Sequence, residues 1–476
     1  MKIEKKLHNR IIDTIKIVRS VLLVLLVASI FSCNKEEVKK ENKKPEITGT
    51  PSSSVIAGEE YMFQPSATDA DGDELTFRVS NPPNWVSFNE ATGAFTGTPT
   101  EADVGTARGI TISVTDGVAS ASLKVFNITV IPSNQPQVEI IIRTEENLHS
   151  PDDVTTLINR AVENGITIIS VGAKQDEDTS IKSGAAFYNS AIAPIAAGYE
   201  SFDVLADLIP KAHQAGIKVR AWLPQFHDQV AFDKNAAWQM MKLENGNVVP
   251  VSGKEYFVNP LHPDVQAYEL SIIEEVLKNY DMDEIVLDWI RFDNYNMDVG
   301  DFTRTAYNNQ FGYDPITINF ATDNAKRTEW NDWREQGLAN YFGKVRDLVN
   351  AIKPNVKLGV YVLSPEWREV GQNPSLFKDY IDNISPMAYY DDWGYSPDWV
   401  YRSGGILSTT YQKVGDVPIM PAFDTDYPLD VFEDIFDALE ADYPTVYAIS
   451  FFEYGEWNES KFNNLKNIRD NLGFPK

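Results

Sequence analysis

Three charged residues, Asp288, Arg291 and Asp293, follow directly on the short apolar segment 285–287. An apolar run this short, with helical patterns on either side, is typical of a buried parallel strand. Side chains alternate along a strand, so Val286 and Asp288 share one face. In a parallel barrel that face is the interior, and Asp288 projects into the mouth at the carboxyl end of its strand. A carboxyl group there suits general acid or base catalysis; a helix N-cap or an ion pair with Arg291 is the alternative.

Strands and helices alternate over residues 137–476, which predicts an α/β fold, a (β/α)₈ TIM barrel, as the scaffold for Asp288. The predicted strands span 138–143, 167–173, 218–224, 284–289, 357–363, 383–389, 418–422 and 446–452. The predicted helices span 152–164, 202–215, 263–280, 332–352, 396–414, 429–441 and 461–471. Two long insertions, 225–262 and 290–331, follow the third and fourth strands. We therefore expect both to lie over the mouth, and loops of this length are more often functional than not.

Residues 45–133 predict a separate all-β domain, an immunoglobulin-like sandwich, because short alternating runs are separated by Gly, Pro and Asp turns. Its segments 68–77, 89–99 and 114–117 resemble immunoglobulin-like and cadherin-like modules of bacterial surface proteins. That resemblance implies a spacer or presenting domain. The linker to the barrel is the Pro-containing segment 132–136. Three acidic residues at alternate positions are weak candidates for Ca²⁺ ligands, with a polar turn as the alternative: Asp69, Asp71 and Asp73.

The amino-terminal segment predicts export and lipid anchoring. Residues 1–32 combine a basic start with an apolar run that is too short for a stable membrane span, as in a signal peptide. The run ends Ala28-Ser-Ile-Phe-Ser-Cys33, which resembles a bacterial lipoprotein signal and implies lipid on Cys33, the chain's only cysteine. An ordinary signal with an incidental cysteine is the alternative. Residues 33–44 predict a disordered tether, and its Lys-Glu-Glu start resembles the export signal of surface-exposed outer-membrane lipoproteins.

Composition excludes one class of partner. The 476 residues include 42 Lys and Arg against 69 Asp and Glu, a formal net charge of −27. Because phosphate recognition requires basic patches, we expect no nucleic-acid partner. The length allows two or three domains and a sizeable core.

Seven blocks in the barrel region carry a family resemblance. Two of them read Ile217-Lys-Val-Arg-Ala-Trp-Leu223 and Tyr280-Asp-Met-Asp-Glu-Ile-Val-Leu-Asp-Trp-Ile-Arg-Phe292. The other blocks are 258–265, 330–334, 353–359, 380–389 and 449–454. In this order they resemble the glycosyl-hydrolase-like family 10 group across almost all of 137–476. The resemblance implies a barrel that acts on polysaccharide, with Asp288 as the catalytic carboxylate.

The chain departs from that family at two places. Typical members carry Gln-Val-Arg near the end of the second strand, where this chain has Ser170-Val-Gly-Ala-Lys174. The family's Arg after the fourth strand is kept as Arg291, but Asp293 replaces the usual Pro. These differences imply that the substrate subsites differ too.

Glycoside cleavage needs a proton donor plus a nucleophile or an activated water, commonly a second carboxylate. The candidates at strand ends are Asp293, Asp391, Asp424 and Glu453. Strand alternation argues against Glu453, which shares its face with Ile449 and Phe451 unless the strand has already ended. A third possibility needs no second acid: Met387-Ala-Tyr389 resembles the strand-six motif of family 18 chitinases, in which the substrate's own N-acetyl group attacks. The strand-four signature of that family ends in Glu, which this chain lacks.

Further candidates for substrate binding lie at or beyond strand ends. Aromatic faces suit sugar rings, with packing inside the barrel as the alternative: Trp222, Tyr361, Tyr389, Tyr390 and Trp393. Polar candidates are Arg143, His227, Arg291 and Asp391, and Arg143 suits an internal ion pair equally well. The His and acid spacing matches no metal motif, so we expect no catalytic metal and no cofactor.

The sequence thus predicts a surface lipoprotein whose sandwich carries a glycoside hydrolase barrel, with a polysaccharide or oligosaccharide as substrate and the membrane reached through Cys33. Two alternatives stay open. One is a non-catalytic glycan-binding protein on the same scaffold, because fold does not secure function. The other is an envelope-remodelling enzyme that acts on the cell's own exopolysaccharide.

Overall fold

The computed structural model describes residues 42–52, 54–103, 105–131, 137–253, 255–443 and 445–474. Cys33, the predicted signal peptide, the tether up to residue 41 and the predicted linker 132–136 lie outside the described residues. Within the described ranges, no helix has both the length and the apolar character needed to cross a bilayer.

The amino-terminal domain is built from small, mainly antiparallel sheets around one core. Its strands are β1 (Glu46–Thr48), β2 (Ser54–Ile56), β3 (Tyr61–Phe63), β4 (Ser66–Thr68), β5 (Thr76–Ser80), β6 (Val86–Phe88), β7 (Phe95–Gly97), β8 (Gly105–Thr115), β9 (Ser120–Ser122) and β10 (Phe126–Ile131). β8 pairs with β5, β9 and β10, whereas β3, β6 and β7 form a second sheet. Buried side chains such as Phe95, Ile112 and Ile128 fill the space between them.

Eight parallel strands form the barrel, as the sequence predicts. They are β11 (Gln137–Ile142), β12 (Ile168–Gly172), β13 (Lys218–Pro224), β16 (Glu284–Asp288), β17 (Lys357–Val362), β18 (Asn383–Pro386), β19 (Ala422–Asp424) and β20 (Ala448–Phe452). The hairpin strands β14 (Met241–Glu244) and β15 (Asn247–Pro250) belong to the first insertion. The parallel order runs from β18 through β11 to β19. Isolated bridges Ile384–Ile419 and Met387–Ala422 join β18 and β19, the two ends of this order, and close the ring.

The helices lie around this ring and in the two insertions. They are α1 (Thr144–Asn147), α2 (Pro151–Glu163), α3 (Val204–Gln214), α4 (Gln229–Lys234), α5 (Pro263–Asn279), α6 (Asp301–Phe311), α7 (Asn324–Ile352), α8 (Pro374–Phe377), α9 (Ile406–Val414), α10 (Leu429–Asp442) and α11 (Glu459–Leu472). Short 3₁₀ turns lie at Glu101–Asp103, Ala236–Trp238, Pro315–Thr317, Arg368–Val370, Lys378–Tyr380 and Pro397–Val400.

Three predicted boundaries were wrong by four residues or more, each for a local reason. The seventh strand is Ala422–Asp424 rather than 418–422, because Ile419 makes only isolated bridges. The predicted helix 396–414 begins at Ile406, since the turn at Gly404 and Gly405 separates it from a 3₁₀ turn. α7 begins at Asn324 instead of residue 332, with the Asp323 side chain capping it through the Lys326 N–H.

Charged side chains fill the lower interior of the barrel. Arg220 donates to Glu139 at 2.7 Å, to Glu284 at 2.9 Å and to Asn383 at 3.0 Å. Ser450 donates to the other oxygen of Glu139. We call Glu139, Arg220, Glu284, Asn383 and Ser450 the ionic layer. A Cβ on Gly359 would overlap its carboxylate and guanidinium groups, so the layer depends on a residue without a side chain at that position.

The sandwich lies against the amino-terminal end of the barrel. Lys218 pairs with Glu59 of the sandwich at 3.2 Å. A cavity of about 910 Å³ separates the two domains there, lined by Glu59 and by residues at the amino ends of barrel strands such as Lys218 and Glu284. The mouth at the opposite end of the barrel is therefore left to the insertions and strand-end loops.

Candidate functional site

Asp288 is the last residue of β16 and lies at the mouth of the barrel. Its neighbour in register on β13 is Pro224, and its carbonyl accepts the N–H of Gln225 at 3.0 Å. Val286, on the same face of the strand, packs in the barrel interior, whereas Leu287 packs toward the helices. Alternation therefore places the Asp288 side chain above the interior side chains, where it is 8% exposed.

Two neutral donors hold the Asp288 carboxyl group. The indole N–H of Trp222 donates to Oδ2 at 3.1 Å, and the backbone N–H of Trp289 donates to Oδ1 at 2.7 Å. Within the described part of the chain, no cationic side chain hydrogen-bonds to it. Burial therefore dominates and raises the pKa of Asp288 to about 7, against the smaller lowering effects of the Trp289 N–H and the Arg291 charge. The group is half protonated near neutral pH, which suits an acid catalyst.

Trp289 adopts a backbone conformation that is rare for a bulky residue, with φ +56°. Its ring is covered by the Arg291 guanidinium at 4.2 Å and contacts the His227 ring at 4.5 Å. These contacts hold the backbone in the conformation that turns the Trp289 N–H onto Asp288. Such strain persists only where the surroundings fix it.

Aromatic side chains form the floor below Asp288. Trp222 packs edge-on against Tyr361 and Phe452, with ring centroids 6.2 and 6.4 Å apart, and Phe452 lies 5.7 Å from Tyr389. Tyr361 is buried, and its hydroxyl donates to Ser170 at 2.9 Å. Trp222 and Tyr361 thus occupy interior packing positions, the alternative that the sequence left open. Tyr389 is 6% exposed and follows β18 at the same level.

The loop after β12 carries Asp176, an acidic residue that was not among the sequence-based candidates. Arg143 donates to Asp176 at 2.9 and 3.1 Å and to Glu177 at 2.7 Å. Its guanidinium also lies 5.0 Å from the Phe452 ring. Asp176 is 4% exposed, and its negative charge contributes to the raised pKa of Asp288. Arg143 thus forms the internal ion pair that the sequence left open as its alternative role. Asp176 is close enough to Asp288 for its charge to influence the Asp288 pKa.

His227 faces the same loop. Its Nε2 lies 2.9 Å from Asp178, and hydrogen bonds from His227 and Ser183 lower the pKa of that carboxyl despite partial burial. The other ring nitrogen, Nδ1, is buried without a hydrogen-bond partner among the described residues. His227 also stacks on Phe257 at 5.2 Å. These contacts place His227 beside Trp289, as a support for the loop after β16.

A buried ion cluster anchors the loops after the second and third strands. Lys174 pairs with Asp228 at 2.8 Å and with Glu269 of α5 at 2.7 Å. Asp228 also caps α4, and a Cβ on Gly184 would overlap its carboxylate. Lys174 ends the segment 170–174 that stands where the family carries Gln-Val-Arg, and its ammonium group is buried in this ion cluster.

The other acidic candidates have partners of their own. Asp293 forms an ion pair with Arg291, whose pKa burial lowers to about 10. Asp391 is exposed and accepts from the Tyr427 hydroxyl at 3.1 Å, while the Tyr390 ring packs 4.5 Å from Tyr427. Trp393 is 40% exposed on the same loop.

Glu453 lies on the helix side of the barrel wall. It pairs with Lys461 of α11 at 2.5 Å, and the carboxylates of Asp424 and Asp426 lie beside it. Burial raises the pKa of Glu453 to about 7. Alternation places Glu453 on the face of Phe451, and its partners are the Thr425 N–H and Lys461. Catalysis by Glu453 or by Asp424 stays a prediction.

The calcium candidates are also near one another. Carboxylate oxygens of Asp69, Asp71 and Asp73 lie within 4.8 Å of each other. Asp69 accepts the backbone N–H groups of Asp71 at 2.7 Å and Asp73 at 3.3 Å, which is the geometry of a polar turn. Calcium binding stays a prediction.

A buried carboxylate joins the two insertions, together with backbone hydrogen bonds between them. Asp298 of the second insertion accepts from the Met241 N–H, the Asn259 side chain and the Thr303 hydroxyl, each at 2.6 Å. Burial raises its pKa to about 6. Val299, Tyr307, Ile318 and Trp330 form an apolar cluster beside it, with Leu243 of the hairpin packed against them. The insertions therefore form one cap on the mouth side of the barrel.

Family models match two parts of the chain. Residues 153–400 match the family described as "Glycosyl hydrolase-like 10", slightly more than half of the chain. Residues 44–131 match the family described as "Putative Ig domain".

Three curated proteins are similar to this chain at low identity. An S-layer-related protein of Niallia circulans is 24% identical over 58% of this chain and 19% of its own length. The glycosyl hydrolase YngK of Bacillus subtilis is 22% identical over 48% of this chain and 46% of its own length. The glycosyl hydrolase DigH of Escherichia coli K12 is 25% identical over 42% of this chain and 43% of its own length. The chain thus spans less than half the length of these relatives.

Two solved structures share the fold. The glycoside hydrolase domain of PgaB (BpsB) from Bordetella bronchiseptica aligns with a TM-score of 0.56 at 14% identity, covering 71% of this chain and 99% of that domain. Alpha-L-fucosidase isoenzyme 2 from Paenibacillus thiaminolyticus aligns with a TM-score of 0.50 at 15% identity, covering 71% of this chain and 49% of the enzyme. Both agree with a TIM-like barrel.

Proposed function

This chain belongs to the glycosyl hydrolase-like 10 family, and on that premise we propose that it is a glycoside hydrolase in which Asp288 is the general acid. The observation that carries the proposal is the setting of Asp288: it ends the fourth barrel strand, and its two donors are neutral groups. A carboxyl group in such a setting keeps its proton at near-neutral pH and can release it to a leaving oxygen.

The chemistry follows from that proton. Asp288 protonates the glycosidic oxygen as the bond to the anomeric carbon breaks, and the sugar ring acquires positive charge. The carboxyl groups of Asp176 and Glu177 outnumber the single Arg143 guanidinium that pairs with both, an arrangement that favours such a cation. Water finally adds its hydroxyl to the anomeric carbon, and its proton restores Asp288. The aromatic floor excludes bulk water from the acid.

We also propose a polysaccharide substrate and anchoring of the chain at the cell surface through lipid on Cys33. The relatives named glycosyl hydrolases support the first part. The second part rests on the sequence around Cys33, where an acyl chain contributes about 0.8 kcal/mol of membrane affinity per buried methylene. Replacement of Cys33 by Ser should release the protein from the membrane fraction of the producing cell; retention there would refute the anchor.

The test of catalysis is the Asp288→Asn variant on a panel of soluble polysaccharides, assayed for new reducing ends. We expect kcat to fall at least about 100-fold, since general acid catalysis contributes about 10²–10⁴, while polymer binding is retained. Asp281→Asn is the matched control, because Asp281 lies before the opposite end of the same strand. Hydrolysis that survives in Asp288→Asn would exclude this acid, and binding without hydrolysis by the unmodified protein would favour a glycan-binding function instead.

A further inference from the structure

Four aromatic side chains stack on the loops that follow the fifth and sixth barrel strands. Tyr395 and Trp399 are parallel, with ring centroids 4.6 Å apart and planes inclined by 6°. Trp367 is nearly parallel to both, at 6.5 and 6.2 Å. Trp393 meets Trp367 edge-on at 4.9 Å. We call Trp367, Trp393, Tyr395 and Trp399 the aromatic platform.

Packing accounts for only part of this platform. Trp399 is 4% exposed and belongs to the core, but Trp393 is 40% and Tyr395 38% exposed. Exposed aromatic residues that lie together, rather than singly, mark a binding surface. In the described part of the chain, the other aromatic residues with comparable exposure are Phe302, Tyr380 and Tyr454. Trp393 and Tyr395 are thus two of the few exposed aromatic side chains, and both contact Trp367.

Backbone hydrogen bonds join the two platform loops to the segments that follow Asp288 and Tyr389. The backbone N–H of Phe292, four residues after Asp288, donates to the carbonyl of Val370 at 2.8 Å, and Val370 closes a turn on Trp367. On the other loop, the N–H of Tyr395 donates to the carbonyl of Tyr390 at 2.8 Å, next to Tyr389 of the aromatic floor. Both platform loops are therefore tied by backbone hydrogen bonds to residues that flank the mouth.

Polar groups border the exposed rings. Asp391 and Asp392 precede Trp393, and both are exposed. The Tyr454 hydroxyl, from the loop after β20, reaches Asp392 at 3.4 Å. Flat rings bordered by hydrogen-bond acceptors match a pyranose, which presents C–H groups on its face and hydroxyl groups around its edge.

From these contacts we infer that the aromatic platform is a second carbohydrate subsite, which holds a polymer at a distance from the bond cleaved at Asp288. The inference rests on the proposed function and deepens it, because the substrate becomes a chain long enough to reach both places. Binding at a remote subsite favours polymers over short fragments. Loss of the platform should therefore affect long substrates selectively.

The experiment compares Trp393→Ala and Tyr395→Ala, each in an Asp288→Asn background so that bound polymer is not consumed. The probes are partially N-acetylated chitosan, xylan, galactomannan and laminarin, together with the disaccharide of each. We expect the affinity for the polymer that binds to fall about tenfold, and that for its disaccharide to stay unchanged. Tyr395→Phe keeps the ring and should keep the affinity.

Tyr380→Ala is the matched control, since Tyr380 is also 38% exposed but precedes β18 at the opposite end of the barrel. Thermal unfolding verifies that each variant is folded. Equal polymer affinity in the control and the platform variants overturns the inference, and so does a failure of the Asp288→Asn protein to bind any of the four polymers. Binding that depends on the platform without hydrolysis by the unmodified protein supports the subsite while refuting the proposed catalysis.

Discussion

The barrel interior holds buried carboxylates at two levels, and their surroundings differ. In the ionic layer, Glu139 and Glu284 share the guanidinium of Arg220, and Asn383 and Ser450 supply further hydrogen bonds. At the mouth, the hydrogen-bond donors to Asp288 from the described residues are an indole and a backbone N–H. Burial raises the pKa of Glu139, as it raises that of Asp288, but at Glu139 the Arg220 guanidinium opposes the effect of burial as a direct partner, whereas the hydrogen-bond donors at Asp288 are neutral. The ionic layer therefore has the partners of a structural ion cluster, and the level of Asp288 is the one at which we propose proton transfer.

The largest effect should come from removing the cation of the ionic layer. Arg220→Met leaves two buried carboxylates without their charge partner, and we expect the free energy of unfolding to fall by about 3–5 kcal/mol. Chemical denaturation measures it. Lys218→Met is the control two residues earlier on β13, where loss of the partly exposed pair with Glu59 should cost at most about 1 kcal/mol. Equal losses of unfolding free energy in Arg220→Met and Lys218→Met would contradict a stabilising role of the buried ionic layer.

At the mouth, replacing the buried acid Asp288 should increase the free energy of unfolding at alkaline pH rather than lower it. Asp288 has a folded-state pKa near 7, above its ordinary value, so the unfolded chain loses its proton first as pH rises. Its contribution to stability is complete below about pH 4 and falls until about pH 7. The Asp288→Asn side chain does not ionise, so this stability is not lost in the variant. Its free energy of unfolding should be a few kcal/mol higher than that of the unmodified protein at pH 8 and equal to it near pH 4. Melting temperatures across this range test the sign, and a gap independent of pH would refute it.

A smaller effect should follow from the charge of Asp176. That charge raises the pKa of Asp288, so Asp176→Asn should lower it, and the alkaline limb of the kcat/KM profile should move to lower pH by about one unit or less. Arg143 also pairs with Glu177 at 2.7 Å, so we expect it to retain a partner in this variant. A limb that does not move would place Asp176 outside the electrostatic reach of the acid.

The smallest effect should come from the indole donor. Trp222→Phe removes a hydrogen bond that favours ionised Asp288, so the alkaline limb should move to higher pH by a fraction of a unit, opposite to Asp176→Asn. Trp457→Phe is the control, because Trp457 also donates a buried indole N–H, but to the carbonyl of Ile141. The same shift in both variants would indicate a general loss of packing.

The sequence predicted the barrel because its strands are short apolar runs between periodic helices, a local signal that packing preserves. β13 was predicted with its observed bounds, and alternation gave the inward face of Asp288. The hairpin of the first insertion was missed although its turn, Asn245-Gly246, is a strong local signal. The start of α7 was missed because its first turn carries polar residues without apolar periodicity.

The site was harder to predict, since its contacts join distant segments. Nothing local to Asp176 indicates that Arg143 will hold it beside Asp288. The fate of Lys174 depends on Glu269, which lies 95 residues further along the chain. Trp367 and Tyr395 come together only when the loops after two neighbouring strands fold onto each other.

Asp298 has one further consequence. Donors from the first insertion, Met241 and Asn259, satisfy an acid carried by the second. A protein in which only one insertion was shortened would leave that acid or its donors buried without hydrogen-bond partners. This would lower the free energy of unfolding by about 1–3 kcal/mol or more. We therefore expect the two insertions to be retained or lost together in evolution, so that a related barrel carries either both or neither.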